Sequence, residues 1–140
     1  MGHEYCGVVE AVGSAVTTVK LGQFVVGSFY ISDNTCPHCR FGFPSSCEQR
    51  EFISGAQAPL ARVPLADGTL VATPAMPADD LIPSLLAASG VLGTGWHAAD
   101  AARVKAGATI AVVGDGSGLT HGRPCREANR CCAGHRYEQA

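Results

Sequence analysis

The chain opens on Gly2-His3-Glu4-Tyr5-Cys6-Gly7-Val8-Val9-Glu10-Ala11-Val12-Gly13, where β-branched residues and glycines are interleaved. Residues 7–13 read as a strand. Gln23-Phe24-Val25-Val26-Gly27-Ser28-Phe29-Tyr30 reads as a second, with a turn at Leu21-Gly22 between them. An isolated glycine inside a strand, such as Gly7, marks a bend or a close approach of backbone, as in a small barrel. The His3-Glu4 pair is commonplace by itself and fits an ordinary surface turn.

Further along, the pattern changes twice. Residues 31–50 form a polar loop carrying Cys36, Cys39 and Cys47. Residues 58–64 and 69–72 read as short strands joined at Asp67-Gly68, a hairpin-turn pair. The period then becomes helical. Asp79 or Asp80 is placed to N-cap a helix through Leu81, Ile82, Leu85, Leu86 and Ala88, with Pro83 tolerated in its first turn. A second helix is expected from near Thr94 to Arg103. After a turn at Lys105-Ala106-Gly107 comes the apolar run Thr109-Ile110-Ala111-Val112-Val113, suited to a parallel strand buried on both faces. That run leads into Gly114-Asp115-Gly116, which fits either a plain strand-to-loop turn or a backbone approach to a pyrophosphate. A complete Gly-x-Gly-x-x-Gly fingerprint would need glycine at 119, where Leu119 stands, with Gly118 one position early.

With 140 residues, 46% hydrophobic and 16% charged, the chain suffices for one modest domain but is short for an enzyme that binds a dinucleotide. A formal charge of −2 gives no electrostatic basis for a nucleic-acid or anionic-membrane partner. The N-terminus has neither the basic nor the apolar region of a secretion signal, and Cys6 stands where a myristoylation signal needs Ser or Thr. Pro83, Gly90, Gly93 and Gly95 break the most apolar stretch, residues 81–102, before it could span a bilayer. A cytoplasmic protein is the expectation, and seven cysteines there point to metal before disulfides. Three thiolates in the arrangement Cys36-x-x-Cys39 and then Cys47 suit zinc. The alternative is a lobe that keeps its cysteines as small buried hydrophobes. Cys6 reads as core, Trp96 as packing at a helix junction, and His97 as a surface or junction residue.

Gly2-His3-Glu4-x-x-Gly7, followed after five residues by Gly13 and then by Val16, resembles the signature of the zinc-containing medium-chain alcohol dehydrogenases. Val19, Gly22 and Val25 fit it too, and the resemblance covers residues 1–119. It implies a mixed β and α/β chain, a partial GroES-like β-barrel followed by the start of a Rossmann nucleotide-binding domain. Residues 1–72 would be the GroES-like portion with a zinc loop at 33–47, residues 73–105 connecting helices, and residues 106–119 the first Rossmann strand and glycine turn. Zinc and NAD or NADP are the implied cofactors, a small-molecule alcohol or aldehyde the implied substrate, and the parent family is usually homo-oligomeric.

By the same resemblance, His3 would be a ligand of the catalytic zinc and Glu4 its acidic neighbour. Neutral imidazole suits zinc, and the metal acidifies a bound alcohol so that hydride can leave for the nicotinamide. One further ligand, a cysteine, is expected upstream of Met1. Another, a cysteine or aspartate, belongs four residues before a Thr-Gly-aromatic step, here Thr94-Gly95-Trp96, and Gly90 stands there instead. The family's structural zinc lobe has four cysteines with two, two and seven residues between them. Cys36, Cys39 and Cys47 match the last three, Asp33 falls at the first, and His38 is an alternative fourth ligand. Thr94 matches a residue beside the nicotinamide ring, and Gly114 and Gly116 match the glycines that approach the pyrophosphate.

Beyond Leu119 the resemblance stops. Residues 120–140 contain no Leu, Ile, Val, Phe or Met, so nothing there could cover a sheet face, and a disordered tail from an accidental reading frame is expected. The resulting expectation is a fragment of an NAD(P)-dependent alcohol dehydrogenase, inactive alone. Two rivals stand beside it: a stand-alone zinc-binding module built on the loop, and a non-functional truncated or frameshifted gene product.

Overall fold

Three short apolar runs in the first part of the chain form one antiparallel sheet: β1 (Tyr5–Val8), β2 (Phe24–Gly27) and β3 (Leu70–Ala72), ordered β1-β2-β3. The computed structural model describes residues 2–105, 109–112 and 134–136, and the chain divides into two units, Met1–Ser89 and Gly90–Ala140. In the sheet Tyr5 faces Gly27, Val8 faces Phe24, and Val25 faces Ala72. The β1–β2 ladder runs on into its turn, with Val9 N–H donating to the Gln23 carbonyl at 2.9 Å and Gly22 N–H to the Val9 carbonyl at 2.9 Å. Gly22 closes the hairpin at φ +80°, a conformation open to a residue without Cβ. The strand expected over residues 7–13 instead starts at Tyr5 and stops at Val8. Residues 10–13 are exposed and lack the burial that would hold them in a sheet.

The close backbone approach falls at Gly27, not at Gly7. A Cβ on Gly27 would lie 2.1 Å from the Tyr5 ring, whereas one on Gly7 would meet nothing within 4 Å. Tyr5 is buried, its hydroxyl donates to the Ser28 carbonyl at 3.3 Å, and burial pushes its phenol up to about 12. It packs with Ile31, Ile53 and Ala56, and Val63 and Leu70 complete this core.

Between β2 and β3 the chain makes the 31–50 loop, with a helical turn α1 (Pro37–Arg40), and later a second turn α2 (Ala66–Thr69). The hairpin expected at Asp67-Gly68 is therefore absent, and residues 58–64 are not a strand. Two contacts explain the difference. The Asp67 carboxylate accepts the N–H and hydroxyl of both Thr17 and Thr18 at 2.8 to 3.0 Å, which holds it well below the usual carboxylate range. Gly68 lies against the loop: a Cβ there would fall 2.2 Å from the Ser32 carbonyl. Ser32 in turn donates its N–H to Thr69 Oγ1 at 3.1 Å and its hydroxyl to the Gly68 carbonyl at 2.6 Å.

A 3₁₀ turn (Asp79–Leu81) leads into α3 (Ile82–Ala88), with Pro83 in the first turn, where its missing N–H is harmless. Neither Asp79 nor Asp80 caps the helix. The 3₁₀ turn satisfies the Leu81 N–H on the Ala78 carbonyl at 2.9 Å instead. Just past α3, the buried Ser89 accepts the Tyr5 N–H at 3.1 Å and donates to the Gly27 carbonyl at 2.5 Å. One hydroxyl thus bridges the open end of the β1–β2 ladder and fastens α3 to it.

In the second unit, α4 (Val91–Ala101) begins three residues before Thr94. It ends in a left-handed cap at Arg103, φ +49°, with Arg103 N–H on the Asp100 carbonyl at 2.8 Å and Val104 N–H on the Ala99 carbonyl at 3.1 Å. Gly95 is the buried position of α4, and Trp96, expected at a helix junction, is 53% exposed. Successive helical residues point about 100° apart, and turning Gly95 inward turns Trp96 away. His97 is exposed.

β4 (Ile110–Val112) pairs in parallel with β5 (Gly134–Arg136), Ile110 facing Gly134. Ala111 is exposed, where the apolar run predicts burial on both faces; parallel strands reach that state only under covering layers. β5 lies inside the 120–140 segment expected to be disordered, and its pairing runs through backbone groups, which need no apolar side chains. Among the described residues no helix is long and apolar enough to cross a membrane.

Candidate metal centre

The 31–50 loop is closed at its neck by backbone pairing. Tyr30 bridges to Phe52 in antiparallel sense, Ile31 N–H donates to the Glu51 carbonyl at 2.9 Å, and Ile53 N–H to the Phe29 carbonyl at 2.9 Å. Above the neck, Asn34 adopts φ +57°, a left-handed step that Asn tolerates and that reverses the chain between Asp33 and Cys36. Cys36 precedes α1, whose first residue is Pro37, and Arg40 N–H donates to the Cys36 carbonyl at 3.0 Å. This tight turn sets Cys36 and Cys39 on one side. Gly42, at φ +88°, and the 3₁₀ turn Pro44–Ser46 then bring Cys47 back to them.

The result is a convergence of Asp33, Cys36, Cys39 and Cys47, whose donor atoms all lie within 4.8 Å of one another. The three cysteines are buried, and the Cys36 and Cys47 sulfurs are 3.9 Å apart. A disulfide needs about 2.05 Å, and these thiols are free. Tetrahedral zinc, with bonds of about 2.3 Å to sulfur and 2.0–2.2 Å to oxygen, sets its ligand atoms about 3.5–3.8 Å apart. The cluster meets that with a contraction of about 1 Å at its widest pair, so the donor set fits the metal. His38, the alternative fourth ligand, is exposed on α1 and outside the cluster.

Backbone dipoles prepare the cluster for a cation's ligands. Asp33 Oδ1 accepts N–H bonds from Thr35 at 2.8 Å and Cys36 at 3.0 Å, and the Cys36 and Thr35 amides hold this carboxyl well below its usual range. Cys47 Sγ accepts N–H bonds from Asp33 at 3.4 Å and Gln49 at 3.3 Å. The amides of Cys39 and Glu48 lower the Cys36 thiol. Burial, with the neighbouring Cys36 and Cys47 thiols and Asp33, pushes Cys39 up to about 12. Two contributors were invisible in the spacing alone: the N–H donors of Asp33 and Gln49 onto Cys47, and the left-handed Asn34. The Asp-Asn pair, a turn former, was the available signal for the latter.

The other candidate positions are not brought together in the same way. His3 is exposed just ahead of β1, its ring centroid 5.4 Å from that of Phe29, and Glu4 is half-buried. Among the described residues the loop is where three or more metal-binding side chains converge, so His3 and Glu4 do not make a zinc site by themselves. Gly90, which offers no donor, is the N-cap of α4. Thr94 is exposed in α4, its hydroxyl donating to the Gly90 carbonyl at 3.0 Å. Gly114 and Gly116 lie outside the described residues. Cys6 sits half-buried on β1, its thiol raised by burial.

Residues 1–85 match the Alcohol dehydrogenase GroES-like domain. The chain belongs to that family, among the zinc-dependent, medium-chain alcohol dehydrogenases. The medium chain reductase/dehydrogenase ucsI of Acremonium sp is 38% identical over 113 residues, 77% of this chain and 38% of the relative. Of solved structures, the alcohol dehydrogenase TADH from Thermus sp. ATN1 superposes with a TM-score of 0.88 at 26% identity, covering 100% of this chain and 42% of that one. The cobalt- and zinc-bound thermostable alcohol dehydrogenase from Pyrobaculum aerophilum gives 0.77 at 28%, covering 97% and 40%. The chain thus spans about two fifths of the length of these relatives.

Proposed function

We propose that the chain serves as part of a zinc- and NAD- or NADP-dependent oxidoreductase of small alcohols or aldehydes, and that its own metal is a structural zinc held by Asp33, Cys36, Cys39 and Cys47. The observation that carries the metal assignment is the convergence of those four donors within 4.8 Å. Zinc bound there cross-links the two ends of the loop. His3 and Glu4 are assigned, from the family signature, as the chain's share of a catalytic site whose other ligands are not among the described residues. Thr94, Gly114 and Gly116 are assigned to the dinucleotide, with residues 1–72 as the GroES-like portion, 73–105 as connecting helices and 106–119 as the start of the Rossmann domain. The free thiols of the lobe favour a reducing compartment, hence the cytoplasm. A homo-oligomer is the assembly expected from the family.

Metal analysis of the purified chain and two variants tests the metal assignment. One zinc per chain is expected, retained in His3→Ala and lost in Cys39→Ser. Zinc that leaves with His3 and stays without Cys39 would reverse the two sites. Retention on an immobilised dinucleotide tests the nucleotide assignment separately; zinc content without retention favours the stand-alone zinc module.

A further inference from the structure

The lobe presents three soft donors and one hard one, and the hard one is the most firmly oriented. Asp33 Oδ1 accepts N–H bonds from Thr35 at 2.8 Å and Cys36 at 3.0 Å, which together fix the side-chain rotamer. A carboxylate oxygen of Asp33 also lies within 4.8 Å of the Cys39 and Cys47 sulfurs, so the side chain faces the cluster as well as the turn. A carboxylate held this way cannot swing aside for another donor, and the candidate replacement, His38, is exposed outside the cluster. Thiolates favour soft metals, carboxylate oxygens hard ones, and zinc accepts both.

We infer that Asp33 is the metal-selecting residue of the lobe: its fixed carboxylate makes a one-oxygen, three-sulfur centre that favours zinc over the softer cadmium, compared with a four-thiolate lobe. This rests on the reading of the lobe as a metal centre. The competing role for Asp33 is to form the 33–36 turn and nothing more. Asparagine separates the two, because its carbonyl oxygen can accept the same two N–H bonds while offering no anionic ligand.

The test uses the full chain with Zn²⁺, Cd²⁺ and Co²⁺ as probes, titrated against a chromophoric chelator, in wild type, Asp33→Asn, Asp33→Cys and Cys39→Ser. Loss of even an outer-shell partner weakens metal binding about 10- to 100-fold, so Asp33→Asn should weaken Zn²⁺ by at least about tenfold. Asp33→Cys should shift the Zn²⁺-to-Cd²⁺ preference toward Cd²⁺ by at least about tenfold, and raise the sulfur-to-Co²⁺ charge-transfer band by about one third, as three thiolates become four. Asp33→Asn that binds Zn²⁺ as tightly as wild type, with an unchanged Co²⁺ spectrum, would reduce Asp33 to a turn former and overturn the inference. So would an unchanged metal preference in Asp33→Cys. Wild type that binds no metal, or Cys39→Ser that binds it equally well, would instead remove the metal-centre reading beneath it.

Discussion

Replacing Ser89 with alanine should cost far more than the loss of one surface hydroxyl. In the native chain that hydroxyl accepts the Tyr5 N–H at 3.1 Å and donates to the Gly27 carbonyl at 2.5 Å, and Ser89, Tyr5 and Gly27 are all buried. Alanine leaves both backbone groups without their partner in a space the size of one oxygen. Each orphaned buried group costs about 1–3 kcal/mol, and some relaxation or water entry recovers part of it, so the loss should be about 2–4 kcal/mol. For a unit the size of Met1–Ser89, each kcal/mol moves the midpoint about 4–8 °C, so Tm should fall by about 10–25 °C. Thermal melts followed by circular dichroism, at one fixed excess of zinc so that ligand stabilisation is constant, measure the loss. Ser89→Thr, which keeps a hydroxyl, should recover most of it. An alanine variant within about 0.5 kcal/mol of wild type would show that the bridge contributes no more than an ordinary surface contact, and the argument would fail. Faster hydrogen exchange at the Tyr5 amide should accompany the loss.

Two other perturbations follow from the same sheet and its flank. Gly27→Ala sets a methyl 2.1 Å from the Tyr5 ring; with the ring buried and its hydroxyl on Ser28, the clash should cost about 1–3 kcal/mol in denaturant unfolding, and Gly7→Ala, with open space, should cost less. Asp67 is a carboxylate whose folded pKa is lowered by the Thr17 and Thr18 donors, so its contribution is complete above its unfolded value of about 3.9 and disappears as pH falls through the folded one. The stability gap between wild type and Asp67→Asn, followed by melting from pH 7 to pH 3, should therefore stay constant down to about pH 5 and narrow below about pH 4; a gap that narrows as pH rises toward 8 would contradict the assignment.

What could be read from the sequence was what depends on local spacing. Cys36-x-x-Cys39 and Cys47 announced a lobe because a tight turn around Pro37 leaves little choice in where two cysteines three apart can point. The Leu21-Gly22 turn and the two flanking strands were legible from alternation and glycine, though β1 moved because burial at Tyr5, not the valine content of residues 8–12, decides where the sheet ends. Several misreadings involve partners distant in the chain. Asp67-Gly68 has the composition of a hairpin turn, yet Thr17, Thr18 and Ser32 decide its shape. Gly27 and Ser89 carry no motif at all; their roles exist only once β1, β2 and the end of α3 meet. Asp33 was placed by its position relative to the cysteines, but its two amide donors depend on the left-handed Asn34 that the structure reveals.

The closed neck below the metal lobe has an engineering consequence. Residues 29–31 and 51–53 are already hydrogen-bonded neighbours, and paired antiparallel strands run about 5 Å apart, a gap that a two-residue reverse turn can cross. Everything between them is an excursion that leaves and returns at nearly one point. A chain with residues 32–50 exchanged for Asn-Gly would keep the neck pairing and lose the Ser32 ties to Gly68 and Thr69. Conversely, the lobe could be transplanted as a cassette onto the tip of an unrelated hairpin, carrying its four converging donors with it. Evolution has the same freedom, and can alter the contents of the excursion without rebuilding the strands that frame it.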